Sequence, residues 1–239
     1  MHRIAFIALA LAVAAPCLAQ VATAASATSP SSPVVVKLPP PGTGGGLSVE
    51  QALSQRRSLR AFGPGALTLA ELAQLCWSAQ GITDAKGHRT VPSAMATYPL
   101  DVYVVAGNVS GLAAGVYRYR NKEHDLERLA DGDARDRLVD QVAPQLWIRS
   151  APVALVVTGT LSRMGKRAGN RGATFMAVEA GEVAQSVFLQ AVSLGLGSTY
   201  VGGFNPDALR KFLNLPAGEE GLAILPIGRE PAAVNNTAP

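Results

Sequence analysis

The chain has 239 residues, 48% of them hydrophobic and 16% charged, with a formal net charge of +4. That length allows one domain with a full hydrophobic core. The cations are too scattered, outside clusters at 56–60 and 163–171, to point to nucleic acid. The three histidines, His2, His88 and His124, show no metal-ligand spacing, so no metal site is expected.

At the N-terminus, Ile4 to Ala15 is an almost unbroken apolar run behind a single basic residue, Arg3, and is followed by small side chains around Ala19. This layout predicts a secretory signal peptide over residues 1–19 and export, into the periplasm, of a soluble protein. The run is too short for a comfortable membrane span. There is no twin arginine, and Pro16 before Cys17 departs from a lipoprotein anchor. Removing the signal leaves Cys76 as the sole cysteine, which excludes an internal disulfide. It sits in an apolar helical pattern and reads as a small buried hydrophobe. Residues 20–46, rich in Ala, Ser, Thr, Pro and Gly, read as a flexible linker. The folded domain is expected over 47–231 and a disordered tail over 232–239.

Two capping boxes, Ser48-x-x-Gln51 and Thr68-x-x-Glu71, predict helices at about 48–56 and 68–80. The second places Leu69, Leu72, Leu75, Cys76 and Ala79 on one apolar face. Residues 100–106 read as a strand, 115–129 as a hairpin around Asn121-Lys122, 133–142 as a short helix and 152–158 as a buried strand. The longest helix is expected over 174–194, ended by Gly195. It is apolar nearly all round, so it must be buried in the core or against a second subunit. A short strand follows at 198–201, Asn205-Pro206 starts a helix running to Leu213, and 222–227 is the last strand. Helices and strands mix without a βαβ repeat, which predicts an α+β fold, a central sheet flanked by helices. Neither a dinucleotide-binding fingerprint nor a phosphate loop is present.

Four clusters carry chemistry. The first is Arg56, Arg57, Ser58 and Arg60, ahead of Phe62. Guanidinium is a planar, permanently charged fork suited to phosphate, and a serine between such forks adds a hydroxyl donor. Alone, this is equally compatible with a solvated basic turn. The second, Pro92 to Pro99, brackets Ser93, Ala94 and Met95 between prolines, where small residues let backbone amides approach a flat ring. The third puts Gly195 and Gly197 on one side of a short strand and Gly202 and Gly203 on the other, permitting close backbone contact with a ligand. The fourth is Arg229 at the end of the last strand.

In this order the motifs resemble the nitroreductase superfamily of FMN-dependent oxidoreductases, and within it the SagB/ThcOx-type dehydrogenases. The resemblance covers about residues 38–230. It rests on Leu-Pro-Pro-Pro at 38–41, Arg-Arg-Ser-Leu-Arg-Ala-Phe at 56–62, Trp77-Ser78-Ala79-Gln80-Gly81, Pro92 to Leu100, Gly-Val-Tyr-Arg-Tyr at 115–119, and Glu179-Ala180-Gly181 with Gln185. It implies FMN as cofactor. Arg56, Ser58 and Arg60, with Arg57 beside them, would hold the phosphate, the ribityl chain and the pyrimidine edge. Ser93, Ala94 and Met95 would pack along the flavin, Gly202 and Gly203 would offer amides near N5, and Arg229 would meet the phosphate. It further implies a homodimer with FMN at the interface, which would explain the apolar long helix. The reaction implied is two-electron hydride transfer through N5, between a small organic substrate and a donor such as NAD(P)H.

One stretch departs from the pattern. Azoline-forming members carry a Lys-Tyr pair just before the long helix, where this chain has Arg167-Ala168, with Lys166 one position out of register. A guanidinium does not deprotonate in proteins and alanine transfers no proton, so azoline-dehydrogenase chemistry is not expected and no catalytic acid or base is named. That departure, with the scarcity of nicotinamide donors outside the cytoplasm, leaves an alternative: an exported, non-catalytic FMN-binding homodimer.

Overall fold

A computed structural model describes residues 34–232. The expected signal peptide, the linker as far as residue 33 and the tail from 233 lie outside the described residues. Both capping boxes form. Helix α1 (Val49–Gln55) starts where Ser48 Oγ accepts from the Gln51 amide (3.2 Å) and Gln51 Oε1 accepts from the Ser48 amide (2.8 Å). Helix α2 (Leu69–Gln80) starts where Thr68 and Glu71 do the same, at 3.1 and 2.7 Å. Each box satisfies amides that a first helical turn leaves without a partner.

The central sheet contains β1 (Val35–Lys37), β3 (Leu100–Ala106), β5 (Gly115–Arg120), β6 (Asp125–Asp131), β7 (Val153–Thr160), β8 (Gly197–Ser198) and β9 (Glu219–Gly228). Their spatial order is β1-β6-β5-β3-β7-β9-β8, and every neighbouring pair is antiparallel. A separate parallel pair joins β2 (Leu67–Thr68) to β4 (Val109–Ser110). The middle strands are apolar along their whole length because both faces are covered. Val102, Val104, Leu155, Val157 and Leu225 point toward α2 and the long helix α4 (Gly172–Ser193). Tyr103, Val105, Ala154, Val156 and Ile224 point the other way. That second face is covered by α3 (Arg135–Arg137), the wider turn Leu138–Val142 that continues it, and α5 (Pro206–Leu213), which Asn205 caps. The result is the α+β architecture expected: helices, an antiparallel sheet, helices. Cys76 is fully buried, and burial pushes its thiol far above the ordinary range, as suits an inert core residue.

Three elements differ from expectation. The supposed linker is ordered from residue 35. Strand β1 pairs with β6, Lys37 bonds the buried Asp125 (2.7 Å), His124 Nε2 lies 2.8 Å from Pro39 O, and Gly42 exchanges two bonds with the Gln74 amide. Two valines and a lysine opposite a buried carboxylate outweigh the surrounding Pro/Gly composition. The helix expected over 133–142 is one α-turn running into a wider turn. The strand expected over 198–201 pairs continuously only at 197–198, with Val201 rejoining β9 at Ile224 through an isolated bridge.

Candidate cofactor site

Arg56 closes α1, its amide still donating to Ala52 O (3.0 Å). The chain then runs out along the sheet edge. Ser58 forms a parallel bridge with Ser198, the Leu59 amide donates to Ser198 O (3.0 Å), and the Gly63 amide donates to Arg229 O (3.0 Å). Leu59 fills the space above Gly197 so closely that a Cβ there would lie 2.6 Å from Leu59 Cδ2. The basic cluster is therefore fastened by its backbone and by Leu59, which leaves its polar side chains free. Among the described residues, none of Arg56, Arg57 and Arg60 has a carboxylate partner; Arg57 turns back onto the carbonyls of Ser54 and Arg56.

The same edge carries further polar groups without partners. Ser198 is 4% exposed, and its buried Oγ meets no hydrogen-bond partner. The amides of Gly202 and Gly203 find no acceptor among the described residues, although their carbonyls accept from the Phe204 amide and from Gln145 Nε2. Unpartnered cations, an orphaned hydroxyl and two open amides along one edge form a donor set that fits an anionic ligand with polar edges.

Arg229 lies at this edge but is differently engaged. Its Nη2 bonds both Glu71 oxygens (2.8 and 3.0 Å), and its Cδ and Nε pack under Gly65. Burial alone would raise the Glu71 carboxyl; the Thr68 amide and Arg229 outweigh it, and the net shift is downward. The capping glutamate of α2 thus doubles as the partner of Arg229, a link that is invisible in sequence because the two lie 158 positions apart.

The second group, Ser93, Ala94 and Met95, stands elsewhere. Its loop is tight: Met95, Ala96 and Tyr98 have φ of 57°, 53° and 46°, a region L-residues other than Asn, Asp and Gly rarely adopt. Ser93 Oγ accepts from the Tyr98 amide (2.8 Å), and the Ala94 amide donates to Oε1 of Glu179 on α4 (2.8 Å). Arg89, bonded to Gln80, lies 4.3 Å over the Tyr98 ring. A cleft of about 310 Å³ separates Pro92 to Ala94 from Phe175, Val178 and Glu182 of α4. The partners Glu179 and Arg89 carried no assigned role in sequence. The signal for Glu179 was its place in the Glu179-Ala180-Gly181 motif, which carries part of the resemblance without naming a role.

Helix α4 measures the separation of the two groups. The Ser93 loop meets it at Glu179; α1 and the lead-in segment meet it near Ser193, and the arginine edge follows at Ser198. Fourteen residues at about 1.5 Å each put roughly 20 Å between positions 179 and 193 on the helix. One chain does not bring the two groups together. The larger cleft, about 850 Å³, lies between residues 42–48, α1, α2 and α4, and neither the arginine cluster nor Gly202 lines it. The outward stripe of α4, with Ala177, Val178 (54% exposed), Gly181 and Gln185, is uncovered, as are Val49 and Leu53 of α1.

The chain is 38% identical over 184 residues to a protein bearing the name nitroreductase in Methanocaldococcus jannaschii, covering 77% of this chain and 92% of that one. A crystal structure from Ralstonia eutropha JMP134, described in the same way, superposes with a TM-score of 0.70 at 31% identity, over 82% of this chain and 89% of that one. A chain of the E. coli microcin synthetase McbBCD complex shares the fold, with a TM-score of 0.63 at 21% identity over 80% and 76% of the two chains. Residues 53–229 match the model of the nitroreductase family.

Proposed function

Because the chain belongs to the nitroreductase family, we propose that it is an FMN-dependent oxidoreductase of the SagB/ThcOx type whose cofactor site is split between two copies. The observation that carries this reading is the open donor set at the arginine edge: unpaired Arg56 and Arg60, the orphaned Ser198 hydroxyl, and the free Gly202 and Gly203 amides. Arg56, Ser58 and Arg60 would hold the phosphate, ribityl chain and pyrimidine edge. Their positive charge would favour the reduced, more negative cofactor. Gly202 and Gly203 would present amides beside N5. Arg229 would act on the phosphate only from its pair with Glu71. When bound, FMN supplies two-electron hydride transfer at N5; the protein supplies position and electrostatics.

Ser93, Ala94 and Met95 would reach that flavin from the other protomer. Pairing through the uncovered stripe of α4, in opposite directions as a two-fold axis permits, would carry each Ser93 loop to the partner's arginine edge. The exposed Val49, Leu53 and Val178 and the small Ala177 and Gly181 suit such a contact.

Azoline-dehydrogenase chemistry is not proposed. Arg167 is exposed, Ala168 is buried, and neither can act as a base. The substrate would be a small organic molecule and the donor NAD(P)H or a substitute available after export to the periplasm. Protein lacking residues 1–20 is expected to purify as a yellow dimer with flavin absorbance. A colourless, folded dimer that takes up no added FMN would sink the reading. Stopped-flow reduction then separates an enzyme from a non-catalytic flavin binder: the first is reduced by a nicotinamide or quinol donor, the second by neither. Fractionation of cells making the full chain tests export.

A further inference from the structure

We propose that Glu179 is a positioning residue: it holds the 93–98 loop in the place from which that loop would meet the partner's flavin. This rests on the split-site reading above. Three non-glycine residues in left-handed conformations within four positions form a backbone that persists only when its surroundings over-determine it. Most of the loop's hydrogen bonds are internal: Ala96 amide to Ser93 O (3.0 Å), Tyr98 amide to Ser93 Oγ (2.8 Å), and Thr97 Oγ1 to Ala94 O (3.0 Å). Internal bonds fix a turn's shape but not its place. Among the described residues, the one side chain of another element that accepts from a loop amide is Glu179.

The carboxylate is costly where it stands. Glu179 is 4% exposed on a helix face shared with Met176, Ala180 and Val183, where a leucine would satisfy packing. A buried carboxylate needs donors, and the Ala94 amide is its hydrogen-bonded donor. The charged groups nearest to it are Glu182 on the same helix and Arg89. Arg89 is stacked on Tyr98 at the loop's far end, so it steadies the same segment from the opposite side.

The test uses the full-length dimer and two readouts: hydrogen exchange at the amides of residues 94–98 without FMN, and FMN affinity by fluorescence titration. Glu179→Ala leaves the half-buried Ala94 amide without its acceptor, so exchange at these positions and the FMN Kd should each rise about tenfold or more. Glu179→Gln, whose carbonyl can accept the same bond, should restore both to within about threefold of the parent. Should Glu179→Ala fail to fold, Ala94→Pro removes the donor from the other side and leaves α4 intact. Ser93 is already extended (φ −138°, ψ 136°), as a residue before proline must be, and the same losses are expected, with exchange read at residues 95–98 because proline carries no amide proton. Parent-like exchange and affinity in Glu179→Ala or Ala94→Pro would overturn the proposal, as would a loss that glutamine does not rescue. A parent protein that binds no FMN would defeat the flavin reading instead, and exchange would still decide whether Glu179 holds the loop.

Discussion

The arginine edge and the Ser93 loop are the two halves of one proposed site, and they are built by opposite means. At the edge the backbone does the fastening: Ser58 bridges Ser198 and Gly63 bonds Arg229, so among the described residues Arg56, Arg57 and Arg60 project without carboxylate partners. At the loop a side chain does it, Glu179 reaching from α4 to the Ala94 amide, while the loop's own residues sit in unfavourable backbone conformations. A site anchored through its backbone can change its charges with little effect on the fold. One anchored through a buried carboxylate loses its place when that single bond goes.

The largest expected effect comes from separating the halves. A side chain at Gly181 meets nothing within 4 Å in one protomer, so Gly181→Lys should leave the chain folded, or slightly more stable, since glycine in a helix interior disfavours it by about 1 kcal/mol. A lysine in the uncovered stripe of α4 should nonetheless yield monomers that bind no FMN, read by sedimentation and absorbance. A folded Gly181→Lys dimer with full FMN content would place the contact elsewhere. Next, Arg56→Ala combined with Arg60→Ala removes two charge-assisted contacts of about 1.5–3 kcal/mol each. The FMN Kd should rise on the order of 100-fold or more, with stability changed by less than about 1 kcal/mol, since Arg60 is exposed and Arg56 half-buried.

Arg229→Ala should behave differently. Its guanidinium is tied to Glu71 and is partly exposed, so its loss should lower stability by less than about 1 kcal/mol. Affinity for FMN should fall less than in the Arg56 and Arg60 variant. The smallest effects are pH dependences of opposite sign. The fold lowers the Glu71 carboxyl, so its contribution is present above the unfolded value and fades as pH falls through the lower folded one. Burial raises the Glu179 carboxyl, against the pull of the Ala94 amide and Ser93, so the fold favours its protonated form and that contribution fades as pH rises through the raised value. Denaturant titrations from pH 3 to 8 on Glu71→Gln and Glu179→Gln should each flatten one of the two slopes.

Local rules made much of the fold legible. Capping boxes located α1 and α2 because the partners are three residues apart, and continuous apolar runs located β3 and β7 because both faces of the sheet are covered. Strand β1 was hidden because the partners of Val35 and Lys37, in β6, lie about ninety positions away, and its Pro/Gly surroundings have the composition of a linker. The irregular turn at 138–142 carries an ordinary helical pattern, which tertiary packing overrides. In the candidate site, Arg56, Ser58 and Arg60 stood out by charge and spacing. The tie of Arg229 to Glu71 and the grip of Glu179 on Ala94 depend on contacts between distant segments, for which spacing carries no signal, and the left-handed backbone of Met95, Ala96 and Tyr98 falls on residue types that give no sign of it.

The central claim is that one FMN takes its arginine edge from one protomer and its Ser93 loop from the other. A mixed dimer tests it most directly: one subunit carrying Arg56→Ala and Arg60→Ala, the other carrying Ala94→Pro, isolated through two different tags. Neither variant homodimer should bind FMN at parental affinity. The mixed dimer gathers all three substitutions in one site and leaves the other intact, so it should bind about one FMN per dimer at parental affinity. A mixed dimer as empty as its parents, beside a wild type that binds two, would contradict the account, since both halves would then belong to a single chain.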